Sequence, residues 1–102
     1  MEIKFEEKVY QIVRKIPRGK VLAYKQVAEK LGNKNLTRAV GNALSKNRDS
    51  RVPCHRVIRN NGKIGGYNRG EKKKIGLLIK EGLKIKKSRL ISGVWQRVAT
   101  GD

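Results

Sequence analysis

The sequence predicts a mainly α domain with short strands, containing a helix-turn-helix. Three observations predict it. Apolar residues recur at helical spacing in four stretches, three of which end at Gly or Pro. The two middle stretches are short and joined by a Gly-containing turn. The apolar runs left over, such as Val57-Ile58, are long enough only for short strands. With 102 residues the chain supports one domain, 1–102, with a core over about 4–85 and a basic C-terminal extension over 86–102.

Phe5, Val9, Ile12, Val13 and Ile16 lie on one face of a helix expected over 4–16. Glu6 and Glu7 fall in its first turn, where the helix dipole favours negative charge, and Pro17-Arg18-Gly19 ends it. Val21-Leu22-Ala23 is a short apolar connector. A second helix is expected over 24–31, with Val27, Ala28 and Leu31 inward and Gly32 as its C-cap. Thr37 suits the N-cap of a third helix over 38–46, with Ala39, Val40, Ala43 and Leu44 inward. As a helix-turn-helix this pair places Arg38 at the groove-facing start of its second helix. A helical hairpin with a basic outer face fits the same pattern. Gly41 is inside the third helix, where Gly costs about 1 kcal/mol relative to Ala. A close approach there, by another backbone or by DNA, is therefore expected.

Asn47 to Arg51 form a polar loop leading to Val52-Pro53-Cys54-His55-Arg56-Val57-Ile58, which reads as a short buried strand. Pro53 removes one amide donor, so the strand is expected at an edge or a turn. Asn60-Asn61-Gly62 is a hairpin-type turn. Ile64 to Gly70 is Gly-rich and lacks the phosphate-loop spacing, so it is either a linker or a wall close to a ligand. A fourth helix is expected over 71–81, with Ile75, Leu78 and Ile79 inward and Gly82 closing it. Glu81 in its last turn opposes the dipole, a local conflict of the kind that marks functional positions.

Lys and Arg number 26 against 8 Asp and Glu, a formal charge of +18. A polyanion, nucleic acid first, is the expected partner. Aromatic residues make up 5%, too few for a single-strand stacking platform. One cysteine excludes an internal disulfide and fits a reducing compartment, and one Cys with one His does not make a structural zinc site. No long apolar run or signal pattern is present, so a soluble, cytoplasmic, DNA-associated monomer is expected, with no membrane contact, no metal and no cofactor.

Cys54 and His55 are the only cysteine and histidine, and they are adjacent. A thiol of ordinary pKa is mostly protonated at neutral pH, so a nucleophilic cysteine needs a nearby base. A packed cysteine beside a polar neighbour fits the pair as well. In a regular strand the two side chains point to opposite faces, so a turn after Cys54 or a bridging water is needed to join them. Glu81 is the carboxylate whose odd placement suits it to hold the imidazole.

Pro53-Cys54-His55-Arg56-Val57-Ile58 resembles the active-site motif of the O6-alkylguanine-DNA alkyltransferases, and further matches run in register from about Phe5 to Leu83. The resemblance implies an alkyltransferase C-terminal-domain-like fold. It implies that Cys54 accepts the alkyl group, with His55 as its base through water and Glu81 orienting the ring. Tyr24 would help rotate the nucleotide and donate a proton toward the leaving guanine. Arg38, in Arg38-Ala39-Val40-Gly41, would fill the gap left by the extruded base, with Ala39, Gly41 and Arg56 also at the DNA. Asn47 would brace the active-site turn. Val52, Pro53, Gly66, Tyr67 and Asn68 would join Tyr24 in the substrate pocket. Asn68 stands where many relatives have Ser or Gly. Many members also carry an N-terminal domain before the position of residue 4, so its support is expected from the tail, another chain or intrinsic stability.

The implied partner is double-stranded DNA containing O6-alkylguanine, with O4-alkylthymine as an extension. The implied reaction is stoichiometric: the base leaves the stack, the thiolate takes the alkyl group, and the thioether persists. Two other classes fit parts of the sequence. One is a non-enzymatic alkyltransferase-like lesion binder, a class that replaces the reactive cysteine. The other is a helix-turn-helix regulator with an operator sequence.

Overall fold

The computed structural model describes residues 3–65 and 70–91. Helix α1 (Phe5–Arg14) is followed by β1 (Leu22–Ala23), α2 (Tyr24–Lys30), a 3-10 turn (Lys34–Leu36) and α3 (Thr37–Ser45). A second 3-10 turn (Cys54–Arg56), β2 (Val57–Ile58), α4 (Glu71–Lys80), β3 (Ile85–Lys86) and β4 (Arg89–Leu90) complete the order. Among the described residues the architecture is four helices with short strands, as expected, and each helix ends one or two residues short of its sequence-based limit.

Two apolar clusters share the interior. The first joins α1, α2 and α3 through Val9, Val13, Val27, Val40 and Leu44, and it includes Val52, Cys54 and Val57. The second gathers Val21, Ile58, Ile64, Leu78, Leu83 and Leu90. The seam between them is the parallel pair β1–β2, with Leu22 opposite Val57 and Ala23 opposite Ile58. Successive residues of a strand face opposite ways, so Leu22 and Val57 serve one cluster while Val21 and Ile58 serve the other. The helix-turn-helix is the crossover of this parallel pair.

Several expectations change at the level of single residues. Cys54 and His55 lie on a 3-10 turn, and the strand begins only at Val57. Thr37 does not cap α3; its hydroxyl donates to Lys34 O at 2.6 Å. The preceding turn runs straight into the helix, and the capping role moves back to Asn33, whose Oδ1 accepts from Asn35 N at 2.9 Å. Ile79 is 52% exposed, and Lys74 takes the inward place on α4 with Leu78. The chain continues to pack beyond residue 85. β3 and β4 form an antiparallel hairpin, and Leu90 enters the second cluster.

Two helices end in the same way. Gly32 N donates to Glu29 O and Asn33 N to Ala28 O after α2. Gly82 N donates to Ile79 O and Leu83 N to Leu78 O after α4. Both glycines have φ of +98°, the left-handed conformation this C-terminal motif needs. At α4 the motif holds Glu81 in the C-cap, just beyond the last helical residue, with its side chain free to turn toward α1 and the Cys54 turn.

Candidate functional site

The Cys54–Arg56 turn sends Cys54 one way, toward Asn47, and His55 and Arg56 another, toward Glu81. Cys54 is 6% exposed and belongs to the helical core cluster. Asn47 Nδ2 donates to Cys54 Sγ at 3.1 Å and to Asp49 O at 3.0 Å, while Asn47 Oδ1 accepts from Asp49 N at 3.1 Å. The thiol lies 3.9 Å from Leu44 O. Asn47 thus fixes the sulfur against the loop that precedes the turn.

His55 and Arg56 turn to Glu81. His55 Nε2 is 2.8 Å from Glu81 Oε2. Arg56 donates through Nε to Oε1 at 3.0 Å and through Nη2 to Oε2 at 2.8 Å. A third donor, Gly19 N, reaches Oε1 at 3.3 Å. Burial is the largest influence on this carboxylate and favours its neutral form, but the donors from Arg56, His55 and Gly19 outweigh it and hold its pKa at about 2. Glu81 is therefore ionised at neutral pH and accepts the His55 Nε2 proton. In the neutral ring that leaves Nδ1 as the basic nitrogen.

Arg56 was expected at the DNA. Its guanidinium points inward instead, with Nη1 donating to Ile16 O at 2.8 Å besides the two bonds to Glu81. It ties α1, the Cys54 turn and the end of α4 together. Gly19 completes this junction: a β-carbon there would lie 3.1 Å from Glu81 O, and its φ is +83°.

A cavity of about 800 Å³ opens on the other side of the turn. Cys54, Tyr24, Arg38, Gly41, Leu44, Arg59, Asn60 and Asn61 line it. Arg38 is exposed near the start of α3. A β-carbon on Gly41 would lie 4.0 Å from the Tyr24 ring, which is ordinary contact, and no backbone lies nearer. Gly41 thus leaves space in the cavity rather than relieving a backbone clash. Ala39 is half-buried, and neither it nor Val52 nor Pro53 lines the cavity. Val52 turns into the helical core, a correction to its expected place in the pocket. Gly66, Tyr67 and Asn68 lie outside the described residues.

Two residues escaped the sequence reading. Lys74 is fully buried, with Nζ donating to Tyr24 OH at 3.5 Å and lying 5.6 Å from the Tyr24 ring centroid. Burial lowers its pKa to about 8, against the raising effect of Cys54 and Glu71. Burial likewise raises Tyr24 above the usual phenol range. Three consecutive lysines suggest a solvated face, but Lys74 stands four residues before Leu78 and seven before Glu81, on the inward stripe. The other is Arg59, whose place in the cavity wall depends on the turn after β2.

The fold and this site define a helix-turn-helix domain with a lone cysteine at the floor of a cationic cavity. A family model described as "6-O-methylguanine DNA methyltransferase, DNA binding domain" matches residues 4–83. A methylated-DNA–protein-cysteine methyltransferase of Saccharolobus islandicus is 56% identical over 82 residues, covering 79% of this chain and 52% of that protein. The crystal structure of the O6-methylguanine-DNA methyltransferase of Pyrococcus kodakaraensis is similar at a TM-score of 0.71 and 40% identity, over 79% of this chain and 47% of that one. That of S. pombe Atl1, in complex with damaged DNA containing O6-carboxymethylguanine, is similar at a TM-score of 0.75 and 36% identity, over 84% and 83% of the two chains.

The chain belongs to the 6-O-methylguanine DNA methyltransferase DNA-binding-domain family. It spans about half the length of the curated relatives it matches. Among the described residues no helix is long and apolar enough to cross a membrane.

Proposed function

We propose that this domain repairs DNA by taking the alkyl group of O6-alkylguanine onto Cys54 in a single turnover. The observation that carries the reading is Cys54 at the cavity floor, with Asn47 donating to its sulfur and His55 beside it held by Glu81.

The basic surface binds duplex phosphates without choosing a sequence. The base leaves the stack, with Arg38 at the cavity rim placed to fill the gap. The Cys54 proton passes through water to His55 Nδ1, and Glu81 stabilises the imidazolium. The thiolate attacks the alkyl carbon. An S–C bond forms, the C–O6 bond breaks, and the electron pair passes to guanine, which takes a proton from the Tyr24 hydroxyl. Lys74, donating to that hydroxyl, makes it a better acid. The thioether offers no leaving group, so the methylated chain is the end product. In this reading the chain acts as a monomer.

Intact mass measured with an excess of O6-methylguanine duplex tests this. The expected result is one added methyl per chain and no more, absent in Cys54→Ala. The similarity to S. pombe Atl1 favours a second reading, lesion binding without transfer. Retained binding to the lesion duplex with no mass gain would select it.

A further inference from the structure

Arg59 is a cation whose presence methyl transfer does not explain. It lines the cavity that holds Cys54 and Tyr24, and among the described residues no acidic one lines that cavity. Among the described residues its side chain has no hydrogen bond or ion pair. The contrast with Arg56, three residues earlier and bonded to Glu81 and Ile16 O, is complete.

Arg59 is nevertheless held in place. Its N–H donates to Lys63 O at 2.9 Å and its carbonyl accepts from Gly62 N at 3.0 Å, closing the turn through Asn60 and Asn61. Its aliphatic stem lies across Gly65, where a β-carbon would stand 3.0 Å from Cγ and 3.2 Å from Nε. Gly65 has φ of +76°, so both conformation and contact require glycine there. A guanidinium fixed at its root and along its stem loses less freedom when it binds. Its charge is felt by the groups around it: it opposes the rise that burial imposes on the Tyr24 pKa and adds to the fall that burial imposes on that of Lys74. A neutral methyl group makes no use of such a fork, whereas an oxyanion accepts two parallel hydrogen bonds from it.

We propose that Arg59 is an oxyanion-binding residue of the cavity. The oxyanion is either the carboxylate of an acidic O6-alkyl adduct or the phosphodiester beside the extruded nucleotide. The inference rests on the alkyl-transfer reading.

The test measures single-turnover transfer to the full chain and to Arg59→Ala. The probes are O6-methylguanine and O6-carboxymethylguanine in the same duplex, and O6-benzylguanine as a free base. If the oxyanion is the adduct, the carboxymethyl-to-methyl rate ratio falls about tenfold in the variant, the usual size for loss of a charge-assisted hydrogen bond. If it is the phosphodiester, that ratio holds while the duplex-to-free-base ratio falls about tenfold, and the salt slope of binding drops by about one. Either outcome supports the proposal. Both ratios within twofold of wild type overturn it. Arg59→Gln, which keeps the stem, repeats the comparison should Arg59→Ala fold poorly. A wild-type chain that takes no methyl refutes the transfer reading itself, a result distinct from an unchanged variant of an active protein.

Discussion

The two sides of the Cys54 turn use the same kind of residue to opposite ends. On the Glu81 side, one carboxylate collects Arg56, His55 and the Gly19 amide, and its side chain is 6% exposed. On the cavity side, Arg38 and Arg59 line open space, with no acid in the wall among the described residues. The first arrangement satisfies its charges internally and so fixes geometry. The second leaves them for a ligand. A basic residue in this chain is thus structural or functional according to whether a carboxylate waits for it in the folded state.

The largest expected effect breaks the paired side. Glu81→Ala leaves Arg56 buried without its partner and should destabilise the fold by about 3–5 kcal/mol in chemical denaturation. A loss under about 1 kcal/mol would mean the cluster does not hold the fold. The same carboxylate carries a pH signature. Its folded pKa of about 2 lies below the ordinary carboxyl value of 4.5, so its contribution is complete above pH 4.5 and disappears as pH falls to 2. Stability should drop by about 3 kcal/mol across that window, and Glu81→Gln should flatten the profile.

Lys74 sharpens the comparison, because it is charged, buried and beside the cavity. Its pKa of about 8 lies below the unfolded value of 10.5, so wild-type stability should rise between pH 8 and 10.5. Lys74→Met should remove that rise and stabilise the fold by about 1–3 kcal/mol at pH 7. It should also slow methyl transfer about tenfold by removing the donor to Tyr24 OH. A variant that is both more stable and equally fast would show that Lys74 serves neither the fold nor the reaction. The smallest effect lies away from both sides. Tyr10 OH donates to Ala43 O at 2.7 Å, joining α1 to α3. Tyr10→Phe should cost about 1 kcal/mol and leave the transfer rate unchanged.

The helices were legible because Val9, Val13, Val27, Val40 and Leu44 mark their buried faces by spacing alone. Gly32 and Gly82 announced their ends for the same local reason. What escaped depends on partners distant in sequence. The apolar Val52, Val57 and Ile58 made the whole run look extended, although only Val57 and Ile58 pair as a strand and Cys54 to Arg56 form a turn. Arg56 was expected at the DNA, and its partner Glu81 stands 25 residues away, out of reach of any local pattern. Lys74 hid in a lysine run, and the same rotation of α4 put Ile79 outside. The Cys54–His55 pair and the oddity of Glu81 could be seen in advance, but the bonds joining Glu81 to both His55 and Arg56 could not.

The most direct test compares the rate of Cys54 methylation by O6-methylguanine duplex in wild type and His55→Ala at saturating DNA. The expected result is a loss of about 100-fold or more, the usual contribution of a positioned base, with duplex affinity unchanged. Equal rates in the two proteins would contradict it, since the sulfur would then need no help from the ring that Glu81 holds.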